Sequence, residues 1–237
     1  MLIDAYGRTV NYLRISITDR CDLRCTYCIP KGFHEFEKPE HWLSFDEIER
    51  VVRQFALMGT RHFRLTGGEP LLRKGIVKLV ARLKRIEGVE DLSLSTNATQ
   101  LQHYAHDLRS AGLDRLNVSL DSLSQHGIEQ ITGFDAKAKV MAGLQAASEA
   151  GFARTKINMV PLQGINDSEI DAMVEFCIQH QFILRLIELM PMGATAQQCQ
   201  YLDLQPIISR ISQQYALIPS QQVYGGGPAR YWQSQDC

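Results

Sequence analysis

Cys21, Cys25 and Cys28 lie within the run Cys21-Asp-Leu-Arg-Cys25-Thr-Tyr-Cys28, and their closeness decides what chemistry they can do. Three thiolates from one short segment suit an iron-sulfur cube, which normally takes four protein sulfurs, so one iron would keep an open position. Zinc held by the same thiolates and His34 is the rival set, since Cys₃His is an ordinary structural zinc site. Spacings of four and three also place residues on one helical face, where cysteine serves as a small core hydrophobe. The neighbours Asp19, Arg20, Asp22 and Arg24 leave no apolar stripe, however, and Pro30 opposes a helix continuing there. Cys177, Cys199 and Cys237 form no comparable group and read as ordinary thiols.

A second group, Arg64-Leu-Thr-Gly67-Gly68-Glu69-Pro70, offers side-chain-free backbone that a small ligand can approach closely. Both groups follow β-rich runs. Six such runs are predicted: Tyr12 to Thr18, His62 to Thr66, Asp91 to Thr96, Arg115 to Asp121, Thr155 to Val160 and Ile183 to Leu189. Helical patterns fill the intervals at Ser44 to Met58, Lys74 to Ile86, Leu101 to Ala111, Ser122 to Ile131, Ala136 to Ala150 and Asp167 to His180. Ser44-Phe-Asp-Glu47 is a capping box, and Gly59, Gly112 and Gly151 stand where helices should stop. Alternating β and α elements imply an α/β fold with a parallel sheet, either doubly wound or most of a β/α barrel. In both, sites sit at strand C-terminal ends, which is where the cysteines fall.

Strands of a parallel sheet covered on both faces are apolar throughout, and these are not. Leu13, Ile15 and Ile17 alternate with Arg14, Ser16 and Thr18; Phe63 and Leu65 with Arg64 and Thr66. The same alternation holds for Leu92 and Leu94 against Ser93 and Ser95, Leu116, Val118 and Leu120 against Asn117, Ser119 and Asp121, and Ile157 and Met159 against Lys156 and Asn158. An antiparallel sheet with one solvated face would alternate too, but the intervening helices count against it. A parallel barrel with a polar interior fits both facts. Arg14, Arg64 and Lys156 would then aim cations into a cavity, and an anionic substrate is expected.

The chain has 237 residues, with 25 Lys+Arg against 26 Asp+Glu and a net charge of -1, so no basic excess marks a nucleic-acid or membrane-surface partner. No apolar stretch approaches the roughly 20 residues of a membrane span, and the N-terminal run lacks a leader's cationic and apolar regions. A cytoplasmic protein with reduced thiols is expected.

Cys-x-x-x-Cys-x-Tyr-Cys after a strand, with Gly67-Gly68-Glu69-Pro70 at the next, resembles the radical S-adenosylmethionine (SAM) enzymes. The resemblance implies a partial (β/α)6 barrel and one [4Fe-4S] cluster on Cys21, Cys25 and Cys28. Its open iron would be chelated by SAM, which on reduction gives a 5′-deoxyadenosyl radical. Gly68 and the acidic group of Glu69 would receive the SAM amino group. Leu13-Arg-Ile-Ser-Ile-Thr-Asp-Arg-Cys21, Leu94-Ser-Thr-Asn97, Leu116-Asn-Val-Ser-Leu-Asp-Ser-Leu123, Lys156-Ile-Asn and Arg185-Leu-Ile-Glu-Leu-Met190 narrow this further. They resemble the GTP 3′,8-cyclase family of molybdenum cofactor biosynthesis over residues 7 to 193, and more weakly to Gly227-Pro-Ala-Arg-Tyr231.

By matching position, that family's SAM contacts fall on Tyr27, Gly68, Ser119 and Met190, and its GTP contacts on Arg14, Arg64, Ser95 and Lys156. The resemblance also implies a lyase with GTP as substrate and an electron donor protein as partner, but no nucleic acid and no membrane. The family continues past this length with a second cysteine group, a neighbouring Arg-containing stretch and a Gly-Gly tail, none of which is in the 237 residues. The expectation is a radical SAM core at 1–195 and, at 196–237, the start of an incomplete C-terminal region, from a fragment or a shortened paralogue.

Overall fold

The computed structural model describes residues 2–30, 32–190, 201–221 and 229–234. Cys199, Cys237 and Gly227-Pro228 lie outside the described residues. The six expected strands form as β1 (Tyr12–Ser16), β2 (His62–Thr66), β3 (Asp91–Thr96), β4 (Arg115–Ser119), β5 (Lys156–Met159) and β6 (Ile183–Leu186). The helices between them are α1 (Phe45–Leu57), α2 (Ile76–Lys84), α3 (Leu101–Ser110), α4 (Gln125–Thr132), α5 (Lys137–Glu149) and α6 (Ile170–Gln179). Strand order settles what periodicity left open. The sheet runs β1-β2-β3-β4-β5-β6, each pair parallel, so every crossover steps to the next strand over. A doubly wound sheet reverses direction partway and takes helices on both faces. Sequential order with crossovers of one hand puts all helices on one face, which is the barrel arrangement.

Alternation assigns the faces. Ile15, Phe63, Leu65, Leu92, Leu94, Leu116, Val118, Ile157 and Met159 are buried against Ile48 and Val52 of α1, Leu79 and Leu83 of α2, Leu101 and Leu108 of α3 and their counterparts on α4 to α6. Each such side chain stabilises the fold by about 1.5–3 kcal/mol through lost apolar surface. The opposite residues of each strand line the concave face. The Ser44 capping box forms as expected: Ser44 Oγ accepts from Glu47 N–H at 3.3 Å and Glu47 Oε2 from Ser44 N–H at 2.7 Å.

Two features were not predicted. The helix expected from Ser122 starts only after Ser124, because Ser122 Oγ and the Leu123 and Ser124 amides are held by the Glu169 carboxylate at 2.8–3.2 Å. Beyond β6, a further helix α7 (Leu204–Gln214) and an antiparallel pair β7 (Leu217–Pro219) and β8 (Trp232–Ser234) form. Ile211 of α7 joins the main core, and Arg210 pairs with Asp171 of α6 at 2.8 Å.

Candidate active site

The cysteine loop follows β1 and is tied down on several sides. Arg24 N–H and Thr26 N–H donate to Thr132 O and Ile131 O at 2.9 Å each, fixing the loop to the end of α4. The Arg24 guanidinium turns back to Cys21 O at 2.7 Å and Leu23 O at 2.8 Å. Asp22 accepts from Asn97 Nδ2 at 2.8 Å and from Thr99 Oγ1 at 2.6 Å, beyond β3. Tyr27 Oη donates to Asp121 Oδ2 at 2.6 Å, and Asp121 Oδ1 accepts Val160 N–H at 2.8 Å, joining the loop to the exits of β4 and β5. Cys28 N–H and Ile29 N–H both reach Cys25 O, a tight turn that brings Cys28 back over Cys25. One cleft is shared by Cys25, Asn97, Ser119 and Asp121.

Burial pushes the Cys25 thiol well up, with the Asp121 carboxyl and the other two cysteines adding to it. Burial raises Cys21 and Cys28 as well. Such thiols stay protonated until a cation compensates them, so metal binding here releases protons. Among the described residues no three His, Cys, Asp or Glu side chains gather to hold a single ion, and His34 is exposed. Cys177 is buried in α6, an ordinary core thiol.

Gly67 and Gly68 allow the end of β2 to lie flat against the start of the cysteine loop. Gly68 N–H donates to Thr18 O and Glu69 N–H to Arg20 O, both at 2.7 Å. A Cβ at Gly67 would lie 2.2 Å from Thr18 O, and one at Gly68 2.3 Å from Arg20 O, so neither position admits a side chain. Glu69 corrects an expectation. Its carboxylate is only 1 % exposed and is engaged inside the protein: Oε1 accepts from Leu71 N–H at 3.0 Å and Thr96 Oγ1 at 2.8 Å, Oε2 from Asn97 N–H at 2.7 Å. It therefore brackets the ends of β2 and β3 instead of presenting an acid to a ligand.

The concave face carries the expected cations. Arg14 and Arg64 are register partners on β1 and β2. Arg64 Nε reaches Ser93 Oγ at 3.4 Å, its guanidinium lies 5.3 Å from the Tyr12 ring, and burial lowers its pKa. Ser95 faces Asn117 across β3 and β4, and Asn117 faces Lys156 across β4 and β5. Lys156 is 2 % exposed, with burial pulling its pKa down. Its Nζ and Arg185 Nη2 converge on Tyr231 Oη at 2.8 Å and 2.9 Å. Arg115 is neutralised by Asp91. Tyr12 Oη, Asn117 Oδ1, Asn158 Oδ1 and Arg185 Nε are buried with no hydrogen-bond partner among the described residues. Orphaned polar atoms are costly in an interior, and these stand on the one face that an anionic, hydrogen-bonding ligand would fill. Arg185 was missed because Ile183, two residues earlier on the same face, is apolar and breaks the parity signal. Tyr231 lies far along the chain, at the end of the weakly resembling Gly227-Pro-Ala-Arg-Tyr231 segment, and no role for it was legible in the sequence alone.

Comparison with known proteins decides the family. The radical SAM superfamily pattern matches residues 15–177. A GTP 3′,8-cyclase of Pseudomonas putida is 42% identical over 234 residues, spanning 98% of this chain and 70% of the relative. GTP 3′,8-cyclase 2 of Pseudomonas aeruginosa is 43% identical over 238 residues, spanning 99% and 71%. The chain belongs to the radical SAM superfamily, in its GTP 3′,8-cyclase family. Among solved structures, Streptococcus suis SuiB bound to S-adenosylmethionine superposes with a TM-score of 0.67 at 18% identity, covering 86% of this chain and 48% of that one. TYW1 with a lysine-pyruvate adduct gives 0.59 at 16%, covering 90% and 76%. These likenesses show the shared barrel.

Radical SAM enzymes use a [4Fe-4S] cluster and SAM. The residues present fit that pair: three thiols of one braced loop whose charges act on one another, side-chain-free backbone beside it at Gly67-Gly68, and a polar concave face below. Ser119 closes β4 at the mouth, and Met190, 68 % exposed, stands beyond β6 on the same side.

Proposed function

We propose that this chain is the radical SAM core of a lyase that converts GTP to the cyclic pterin precursor of molybdopterin. Cys21, Cys25 and Cys28 hold the cluster, and Tyr27, Gly68, Ser119 and Met190 contact SAM. Arg14, Arg64, Ser95 and Lys156 contact GTP. The core spans residues 1–195, and 196–237 begin a C-terminal region. When bound, the reduced cluster and SAM supply a carbon radical able to remove hydrogen from the substrate. The protein's own residues bind, orient and exclude water. Arg14 and Arg64 meet the triphosphate from adjacent strands, where the guanidinium fork suits phosphate oxygens. Lys156 and Asn117, neighbours on β5 and β4, approach it from across the face. The cysteine loop and Gly67-Gly68 close the upper end, so the sugar would lie between the cations and the cofactors. An electron donor protein reduces the cluster, and the enzyme works in the cytoplasm. No helix among the described residues is long and apolar enough to cross a membrane.

The orphaned polar atoms beside Arg64 and Lys156 on the concave face are the observation that carries this reading. Its test is GTP binding to cluster-loaded protein by anaerobic equilibrium dialysis. Saturable binding that falls at least tenfold in Arg64→Ala supports it. Binding that is absent, or equal in both proteins, overturns it.

A further inference from the structure

Asn97 stands immediately after β3 and is gripped at both ends. Its backbone N–H donates to Glu69 Oε2 at 2.7 Å, and its side-chain Oδ1 accepts from Thr99 N–H at 3.0 Å. With Oδ1 facing that donor, the amide cannot be flipped without setting N–H against N–H, so Nδ2 is directed the other way. There it has two neighbours, Asp22 Oδ1 at 2.8 Å and Cys21 Sγ at 3.8 Å. The amide's two hydrogens suffice for both acceptors. Leu23 N–H also reaches Cys21 Sγ, at 3.4 Å. Among the described residues, Cys21 is the one of the three loop thiols whose sulfur a side-chain donor addresses.

Asp22 and Thr99 make this arrangement stiff. The Thr99 hydroxyl donates to Asp22 Oδ2 at 2.6 Å while Thr99 N–H holds Asn97 Oδ1 and Asn97 Nδ2 holds Asp22 Oδ1, so the three residues form a closed ring of hydrogen bonds across the cysteine loop and the end of β3. A donor aimed at a ligating sulfur stabilises the negative charge that the cluster gains on one-electron reduction, and so raises its potential. We propose that Asn97 is a positioning residue for the Cys21 ligand, its amide N–H making the cluster easier to reduce. This rests on Cys21, Cys25 and Cys28 being the cluster ligands.

The test uses the full chain with reconstituted cluster. In wild-type protein carrying asparagine labelled with ¹⁵N on the side chain, the reduced cluster shows ¹⁵N hyperfine coupling by pulsed electron paramagnetic resonance. Asn97→Leu, close in volume but without donor or acceptor, loses the coupling and is reduced only at a more negative potential in a dye-mediated titration. Absence of coupling in the wild type overturns the proposal, and that measurement decides even if Asn97→Leu takes up no cluster. An unchanged potential in fully loaded Asn97→Leu overturns it equally. A reconstituted wild type with no cluster signal removes the ligand assignment itself, and the proposal with it.

Discussion

Glu69 shows how one buried residue can serve the scaffold of a site without touching its ligand. Burial pushes its pKa up to about 7 from an ordinary 4.5, against three hydrogen bonds that favour the charged form. The folded state thus holds a proton that the unfolded chain has already released between those values. Stability from this group is full below about pH 4.5 and is lost as pH rises to 7, by about 3 kcal/mol. Glu69→Gln carries no such proton, so the gap in denaturation midpoint between variant and wild type should move in the variant's favour from pH 4.5 to 7. A constant gap across that window would refute the burial account. At the proposed ligands, Cys25→Ala should leave protein with little iron or acid-labile sulfide after reconstitution, and wild-type iron content in the variant would remove Cys25 from the proposed ligand set. The placement of Arg14, Arg64 and Lys156 on the concave face was legible because cations at alternate strand positions are costly in an interior without a partner. Glu69 was misjudged because a Gly-Gly-Glu-Pro run shows an acid but not whether backbone donors already surround it.

At the scale of elements, the polar and apolar parity of β1 to β5 was readable residue by residue, and it correctly separated the core face from the cavity face. Barrel and doubly wound sheet were not separable, because strand order is a long-range property that no local period encodes. The strands β7 and β8 escaped for a related reason: three residues each, paired across a long interval, give no alternation to count. The junction of β2 with the cysteine loop makes the sharpest element-level prediction. Gly68→Ala would set a Cβ 2.3 Å from Arg20 O, forcing the two segments apart. The variant should melt earlier and take up less cluster, a cost of about 1–3 kcal/mol for overpacking a tight contact. A wild-type melting temperature with full cluster would show that the approach is looser than the structure has it.

Across the whole molecule, Tyr231 joins the C-terminal pair of strands to the cavity. Its phenol oxygen lies between Lys156 and Arg185, two cations on adjacent strands, and their proximity pulls its pKa down against the effect of burial. Tyr231→Phe removes that oxygen and leaves the two cations to repel each other. The expected outcome is a lower melting temperature that added GTP or inorganic triphosphate restores, since either sets acceptor oxygens and negative charge between the two cations; a loss that neither anion repairs would mean Tyr231 acts only through packing. The central claim joins the cysteine loop, the glycine junction and the cationic face into one reaction. Reconstituted anaerobically and given SAM and dithionite, the chain should release 5′-deoxyadenosine, and GTP should increase the yield. Release that is indifferent to GTP, or none from fully loaded protein, would contradict it.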